Sequence, residues 1–242
     1  MKILSIGNSF SDDAQRYLRR IAKHEGVEIE TLNLCIGGCS LERHADNIKT
    51  GKREYLFHYN GDLECEDLIT IEDGISMRKW DIVTIQQVST ESFKEESFYP
   101  YINEIADYVR EKLPNAKIYI HQTWAYEHGS PRCLEVTDGK GAGFMLEGIR
   151  RSYKRAKSEI GAEAIIPSGE LMELLYQNGA SKIYRDTLHA SYGLGRCALG
   201  LLWFKLFTGR SVLNNGFSEL DEPASDGDLC IARKCADSLS FM

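Results

Sequence analysis

The chain has 242 residues, and 29 Lys and Arg against 36 Asp and Glu leave a formal net charge of −7. With 43% hydrophobic and 27% charged residues it has enough apolar material for a full core and is not a disordered chain. The acidic balance argues against generic nucleic-acid binding, and the longest apolar run, Cys197–Phe204, is too short to cross a bilayer.

Lys2–Gly7 (KILSIG) is a short apolar run ending in glycine and reads as a buried strand. The next residues turn polar, so no secretory leader is expected. Ala14, Tyr17, Leu18, Ile21 and Ala22 recur at helical spacing, with Ser11 or Asp12 as the expected cap. Glu28–Cys35 alternates like a strand and runs into Gly37-Gly38. Residues 51–79 break the rhythm, and Tyr55–Tyr59 with Leu68–Ile71 read as a hairpin insertion. Asp81–Gln86 is a further strand. Ile102, Ile105, Ala106, Val109 and Leu113 mark an amphipathic helix stopped at Pro114, and Ala116–His121 is the next strand. A helix over Phe144–Ile160 leads to a strand at Ala162–Pro167, then a short helix at Leu171–Tyr176 and a long, largely buried one at Tyr192–Phe207. The tail, about 212–242, carries no clear signal. Strands alternating with helices predict one α/β domain over 1–242, a central parallel sheet with helices on both faces. The seven cysteines are odd in number, form no CxxC pair and have no histidines at zinc spacing. Reduced thiols in a cytoplasmic protein are the expectation.

In such a sheet, ligands bind beyond the carboxyl ends of the strands. Those ends carry Gly7-Asn8-Ser9, then Gly37-Gly38-Cys39-Ser40, Gln86-Gln87-Val88-Ser89 and His121-Gln122-Thr123-Trp124, with Asp186-Thr187-Leu188-His189 before the last long helix. Serine is a poor nucleophile until a base removes its proton. Ser9 is in a strand-to-helix turn, where an amide at the helix start favours negative charge. His189 is the candidate base, and Asp186, three residues earlier, can fix its tautomer. Each motif alone is an ordinary turn; their order and shared place at strand ends are the signal. The order Ser, Asp, His also fits an α/β hydrolase, but the GxSxG elbow is absent.

These motifs resemble the SGNH (GDSL-type) hydrolase superfamily. Gly7-Asn8-Ser9 matches its first block, Gly38 or Gly37 the glycine of its second, and Asp186 with His189 its closing DxxH. The phrases IGNSFS, IGGCSLERH, WDIVTIQQVS and HQTWAYE are similar to a poorly characterised bacterial subgroup. The resemblance covers residues 3 to about 208. It implies a three-layer α/β/α, flavodoxin-like sandwich and ester hydrolysis, often deacetylation of carbohydrates. One block departs: the usual GxND after the third strand is Gln86-Gln87-Val88-Ser89 here. Gln86 or Gln87 is therefore the candidate for the missing amide donor, since an oxyanion needs only an N–H aimed at the developing charge.

The resulting expectation is a serine esterase acting on short acyl, chiefly acetyl, esters of a small molecule or carbohydrate, with no metal or organic cofactor. Ser9, Asp186 and His189 form its triad, and the oxyanion donors come from Ser9, Gly38 and a glutamine. Arg43 and His44 after the glycine pair, and His121, Gln122, Trp124 and Tyr126 after the fourth strand, are candidates to meet the substrate. Two rivals stand beside it. One is a catalytically impaired glycan-binding module of the same fold. The other is a metal-dependent phosphoesterase, which no HxH or DxH cluster supports. Neither oligomeric state nor acyl length is legible.

Overall fold

The computed structural model of the protein describes residues 1–65 and 67–242. Lys2–Gly7 is β1, followed by α1 (Ser9–Gln15) and α2 (Leu18–His24). Glu30–Cys35 is β2 and Leu41–Thr50 is α3. The insertion supplies β3 (Tyr55–Tyr59), β4 (Leu68–Ile69) and α4 (Ile71–Ser76). Then come β5 (Ile82–Ile85), α5 (Tyr101–Lys112), β6 (Lys117–His121), α6 (Pro131–Val136), α7 (Gly141–Ile160) and β7 (Ala164–Ile166). The chain ends with α8 (Ser168–Gln177), α9 (Leu194–Thr208) and α10 (Asp226–Ser238).

The seven strands form one sheet in the order β4-β3-β2-β1-β5-β6-β7. β2, β1, β5, β6 and β7 pair in parallel, with Ile3 opposite Thr31 and Ile82. The expected hairpin extends this core as an antiparallel edge, β3 pairing with β2 through Asn33 and His58, and with β4 through Tyr55 and Ile69. The sheet is therefore mixed: β3 runs against the other six strands.

Central parallel strands are covered on both faces, which is why β1 and β5 read as near-continuous apolar runs. Ile3, Leu4, Ile6, Val83 and Ile85 are wholly buried, each contributing about 1.5–3 kcal/mol through burial. One covering layer packs α1, α2, α8 and α10 around α9; the other sets α5 between α3 and α7. α9 is apolar on every side, and Leu194–Phe204 is buried throughout. The tail explains this. α10, in a segment with no clear sequence signal, packs along α9, and Met242 exchanges backbone hydrogen bonds with Ile165 of β7.

Two local expectations change. The stretch after β1 is two short helices rather than one, and its cap is Asn8, not Ser11 or Asp12: Asn8 Oδ1 accepts from Phe10 N at 3.0 Å. Asn8 is extended, as an N-cap must be, whereas Ser11 and Asp12 already lie inside the helix.

Candidate active site

The turn that carries Ser9 follows from Gly7 and Asn8. A Cβ at Gly7 would collide with the Ser11 side chain, so only glycine lets α1 start directly at the end of β1. Asn8 caps α1 and also donates through Nδ2 to Cys39 O at 3.3 Å, tying the turn to the glycine loop after β2. Ser9 is thereby the first residue of α1, where its N–H has no intrahelical acceptor.

The second half of the site is the 184–190 loop. Arg185 N donates to His189 O at 3.1 Å, and Tyr184 and Ala190 form an isolated antiparallel bridge, closing a tight turn with Thr187 at φ 72°. Inside it, Asp186 Oδ1 accepts from His189 N at 2.8 Å and Leu188 N at 3.4 Å, while Oδ2 meets His189 Nδ1 at 2.8 Å. His189 Nε2 is 2.8 Å from Ser9 Oγ. Burial pushes the Asp186 carboxyl up, but the hydrogen bonds from His189, its charge and the Leu188 amide outweigh this and hold it below the usual carboxylate range. An ionised Asp186 keeps the proton on His189 Nδ1 and leaves Nε2 free to accept from the serine.

The loop is held from beneath by aromatic packing. Phe10 stacks on Trp124 at 4.1 Å between centroids and lies 5.5 Å from the His189 ring. Trp124 Nε1 donates to Leu188 O at 2.8 Å, and Glu127 N donates to Thr187 O at 2.8 Å.

Ser9 and His189 open onto a cleft of about 480 Å³. Gly37 and Gly38 form one wall, Gly38 in the left-handed region at φ 62°. Val88, Ser89 and Thr90, beyond β5, form another, with Tyr126, Arg132 and Leu188 completing it. Ser89 Oγ and Tyr126 Oη are 2.9 Å apart, both residues nearly enclosed. A second cavity of similar size, about 490 Å³, lies at the opposite ends of the strands beside Met1, Lys117 and Phe241 and has no nucleophile–base pair in its lining.

Of the residues singled out from the sequence, Ser9, Asp186, His189, Gly37, Gly38 and Tyr126 gather here. Others have different tasks. Gln87 Oε1 accepts from Leu41 N and Val88 N at 2.9 and 2.8 Å, and its Nε2 donates to Ser97 O and Oγ, so its amide is fully spent. Gln86 Oε1 accepts from Ser11 Oγ at 2.6 Å, and its Nε2 is enclosed away from the cleft. Arg43 faces outward to Glu54 at 3.2 Å. His44 is sealed against Tyr55 Oη at 2.9 Å, and burial, with the Arg43 charge, pushes its pKa down to about 3. His121 bonds Ser168 Oγ at 3.0 Å, packs edge-on against Trp203, and is pushed by burial to about 3. Gln122 accepts from Gly169 N at 3.0 Å, and Trp124 buttresses the histidine loop. None of these lines the cleft. Gln86, Gln87, His121, Gln122 and Trp124 stand at strand ends as read, but their side chains turn inward, as does that of His44 in α3, which position along the chain does not reveal. Val88 and Leu188 lie within the segments read as ligand-facing but were not singled out as contacts, and Arg132 carried no sequence signal; all three reach the cleft through loop paths set by tertiary packing.

Asp12 marks a second polar cluster. Its carboxylate accepts from His58 Nδ1 at 2.8 Å, Asn33 Nδ2 at 2.6 Å and Cys35 Sγ at 3.1 Å. Asp12, Cys35 and His58 bring ligand atoms within 4.8 Å of one another, a grouping able to hold a metal ion. Burial and the neighbouring Asp12 charge push the Cys35 thiol far up, which keeps it protonated as a donor to Asp12. This cluster fastens α1 to β2 and β3 beneath the Ser9 turn.

The sheet and its helices have the fold of SGNH-type hydrolases, with Ser9, His189 and Asp186 in one hydrogen-bonded chain beside the end of β1. The chain belongs to the family described as domain of unknown function DUF4886, whose profile matches residues 2–237. It is similar to a DUF4886 family protein from Bacteroides uniformis, at 30% identity and a TM-score of 0.90, covering 98% of this chain and 93% of that one. A putative SGNH hydrolase from Slackia heliotrinireducens aligns at 20% identity and a TM-score of 0.61, covering 85% and 97%. A catalytic mutant of an acetylxylan esterase from Geobacillus stearothermophilus aligns at 15% identity and a TM-score of 0.50, covering 90% and 94%. No curated protein sequence matches the chain. Among the described residues, no helix is long and apolar enough to cross a membrane.

Proposed function

We propose that the protein is a serine esterase that removes short acyl groups, acetyl foremost, from a carbohydrate or related small molecule. The observation that carries this is the continuous relay from Ser9 Oγ through His189 to Asp186, each step 2.8 Å, facing an open cleft. His189 Nε2 takes the Ser9 proton as Oγ attacks the ester carbonyl, and the acyl group passes to Ser9. The leaving alkoxide then takes the proton from His189. Water, activated by the same histidine, attacks the acyl-serine; the acid leaves and Ser9 recovers its proton. No metal or organic cofactor enters these steps.

The developing oxyanion requires donors already in place. The N–H of Ser9 and that of Gly38 are two. The third is assigned to the Ser89–Tyr126 pair in place of a glutamine. Two hydroxyls sharing one hydrogen bond use one of their two protons, and the other is free to point into the cleft. The apolar wall of Phe10, Val88 and Leu188 suits a small acyl group rather than a charged one. The acetylxylan esterase likeness supports an acetylated sugar as the first substrate class to try.

An impaired binding module is not favoured, because the nucleophile, base and orienting acid are all at hydrogen-bonding distance. The test is hydrolysis of p-nitrophenyl acetate by the wild type, with and without EDTA, and by Ser9→Ala. Clear activity that collapses in the variant sustains the serine mechanism. Equal activity in both overturns it, and loss with EDTA points instead to a metal.

A further inference from the structure

α1 carries, one turn after Ser9, a carboxylate that the relay does not use. Asp13 is wholly buried. Its Oδ1 accepts from Arg185 Nη1 and Arg196 Nε, both at 2.8 Å. Its Oδ2 accepts from Arg185 Nη1 at 3.0 Å and from the backbone N–H of Ala190 at 3.1 Å. Arg185 also donates to Ala190 O. Arg185 immediately precedes Asp186, and Ala190 immediately follows His189. One side chain on the nucleophile's helix therefore grips the chain on both sides of the acid–base segment. Arg196 joins this clamp to α9 and to Asp221, 3.3 Å away, and both guanidiniums lie over the Tyr192 ring at 4.8 and 4.7 Å.

We propose that Asp13 is a positioning residue that sets the distance between Ser9 and His189 by clamping the Arg185–Ala190 loop onto α1; this rests on the esterase reading of the same site. A buried ion pair is weak evidence for stability, because desolvation offsets much of the attraction, whereas fixing one geometry is a task such groups do perform. Burial pushes the Asp13 carboxyl up from its usual range, and the two arginines offset this only in part. The cleft does not include Asp13, so it touches no substrate. Its effect must appear in turnover rather than in substrate binding.

The experiment uses the full chain with Asp13→Asn, and with Arg16→Gln as control. Arg16 reaches Asp221 at the outer end of the same network and does not touch the 185–190 loop. Hydrolysis of p-nitrophenyl acetate and amide hydrogen exchange of residues 185–190 are both measured. Asp13→Asn is expected to lower kcat by about 10²-fold, the scale of an ångström-sized misplacement, while KM moves by less than about threefold and the 185–190 amides exchange faster. Arg16→Gln should leave both as in the wild type. A folded Asp13→Asn protein with wild-type kcat and wild-type protection of the loop overturns the proposal. So does loss of kcat with the loop still fully protected. If Asp13→Asn does not fold, Arg185→Gln breaks the same clamp from the loop side and is judged by the same two readings. If the wild type hydrolyses no ester, the esterase reading has failed, and loop exchange alone decides whether Asp13 positions His189.

Discussion

Ser9 Oγ and His189 Nε2 stand 2.8 Å apart although 180 residues separate them. Two unrelated local devices produce that distance. Gly7 and Asn8 place the serine at the first position of α1, and Trp124, Glu127 and Asp13 hold the loop that presents the histidine. In the proposed mechanism the pair acts as one unit, so Ser9→Ala and His189→Ala are each expected to lower kcat/KM for p-nitrophenyl acetate by about 10⁴-fold or more, and the double variant to be no worse than either single one. A double variant whose loss is the product of the two would show that the residues act independently.

Asp186 should matter less. Its side chain is 48% exposed, so water screens its charge, and two backbone amides share its Oδ1. Asp186→Asn removes the preference for the Nδ1–H tautomer and is expected to lower kcat by about 10²–10³-fold, below the ~10⁴ of a buried triad aspartate. Steady-state kinetics on the purified variant decide this. A loss as large as that of Ser9→Ala would mean that the carboxylate does more than orient the ring.

The third oxyanion donor separates two side chains that adjoin the same loop. Tyr126→Phe leaves the ring in place and removes one hydroxyl of the Ser89–Tyr126 pair. It should cost about 10-fold or more in kcat with little change in thermal midpoint, since losing a full oxyanion donor costs about 10²–10³-fold and Ser89 can still donate. Gln87→Ala should do the reverse. Orphaning the N–H groups of Leu41 and Val88 is expected to destabilise the fold by about 1–3 kcal/mol, with kcat per folded molecule within about threefold. Kinetics and melting curves on both variants are the check; a selective kcat collapse in Gln87→Ala would return the role to the glutamine.

Much of the parallel core was legible because it depends on local pattern. β1 and β5 are apolar runs and β2 and β6 alternate, each ending in glycine or beside polar residues, and the candidate serine stands directly at the end of β1. Three things were not. α10 has mixed composition, and only the bare face of α9 makes it a helix worth packing. The inward turn of His44, His121 and Gln122 depends on partners on other elements, namely Tyr55, Ser168 and Gly169. Asp12 and Asp13 are adjacent on α1, yet they point into separate buried networks, toward His58 on one side and Arg185 on the other. Helical spacing gives the divergence of adjacent residues but not what each will meet.

Those inward histidines have a consequence for acid stability. His44 and His121 are enclosed and stay neutral in the fold down to about pH 3, whereas in the unfolded chain each takes up a proton near its ordinary 6.5. Between those values the unfolded state binds more protons. Stability is therefore complete above about pH 7 and is lost as pH falls. Two such rings give a slope approaching ~2.7 kcal/mol per pH unit below about pH 6. By pH 4 the two rings together remove about 7 kcal/mol, a large part of the about 5–15 kcal/mol by which domains are stable. Urea denaturation at pH 7, 6 and 5 measures this directly, and replacing one ring, as in His121→Gln, should roughly halve the slope whatever it does to stability at pH 7. A urea midpoint unchanged between pH 7 and pH 5 would mean that both rings take up protons inside the fold, which their enclosure beside Tyr55 and Ser168 argues against.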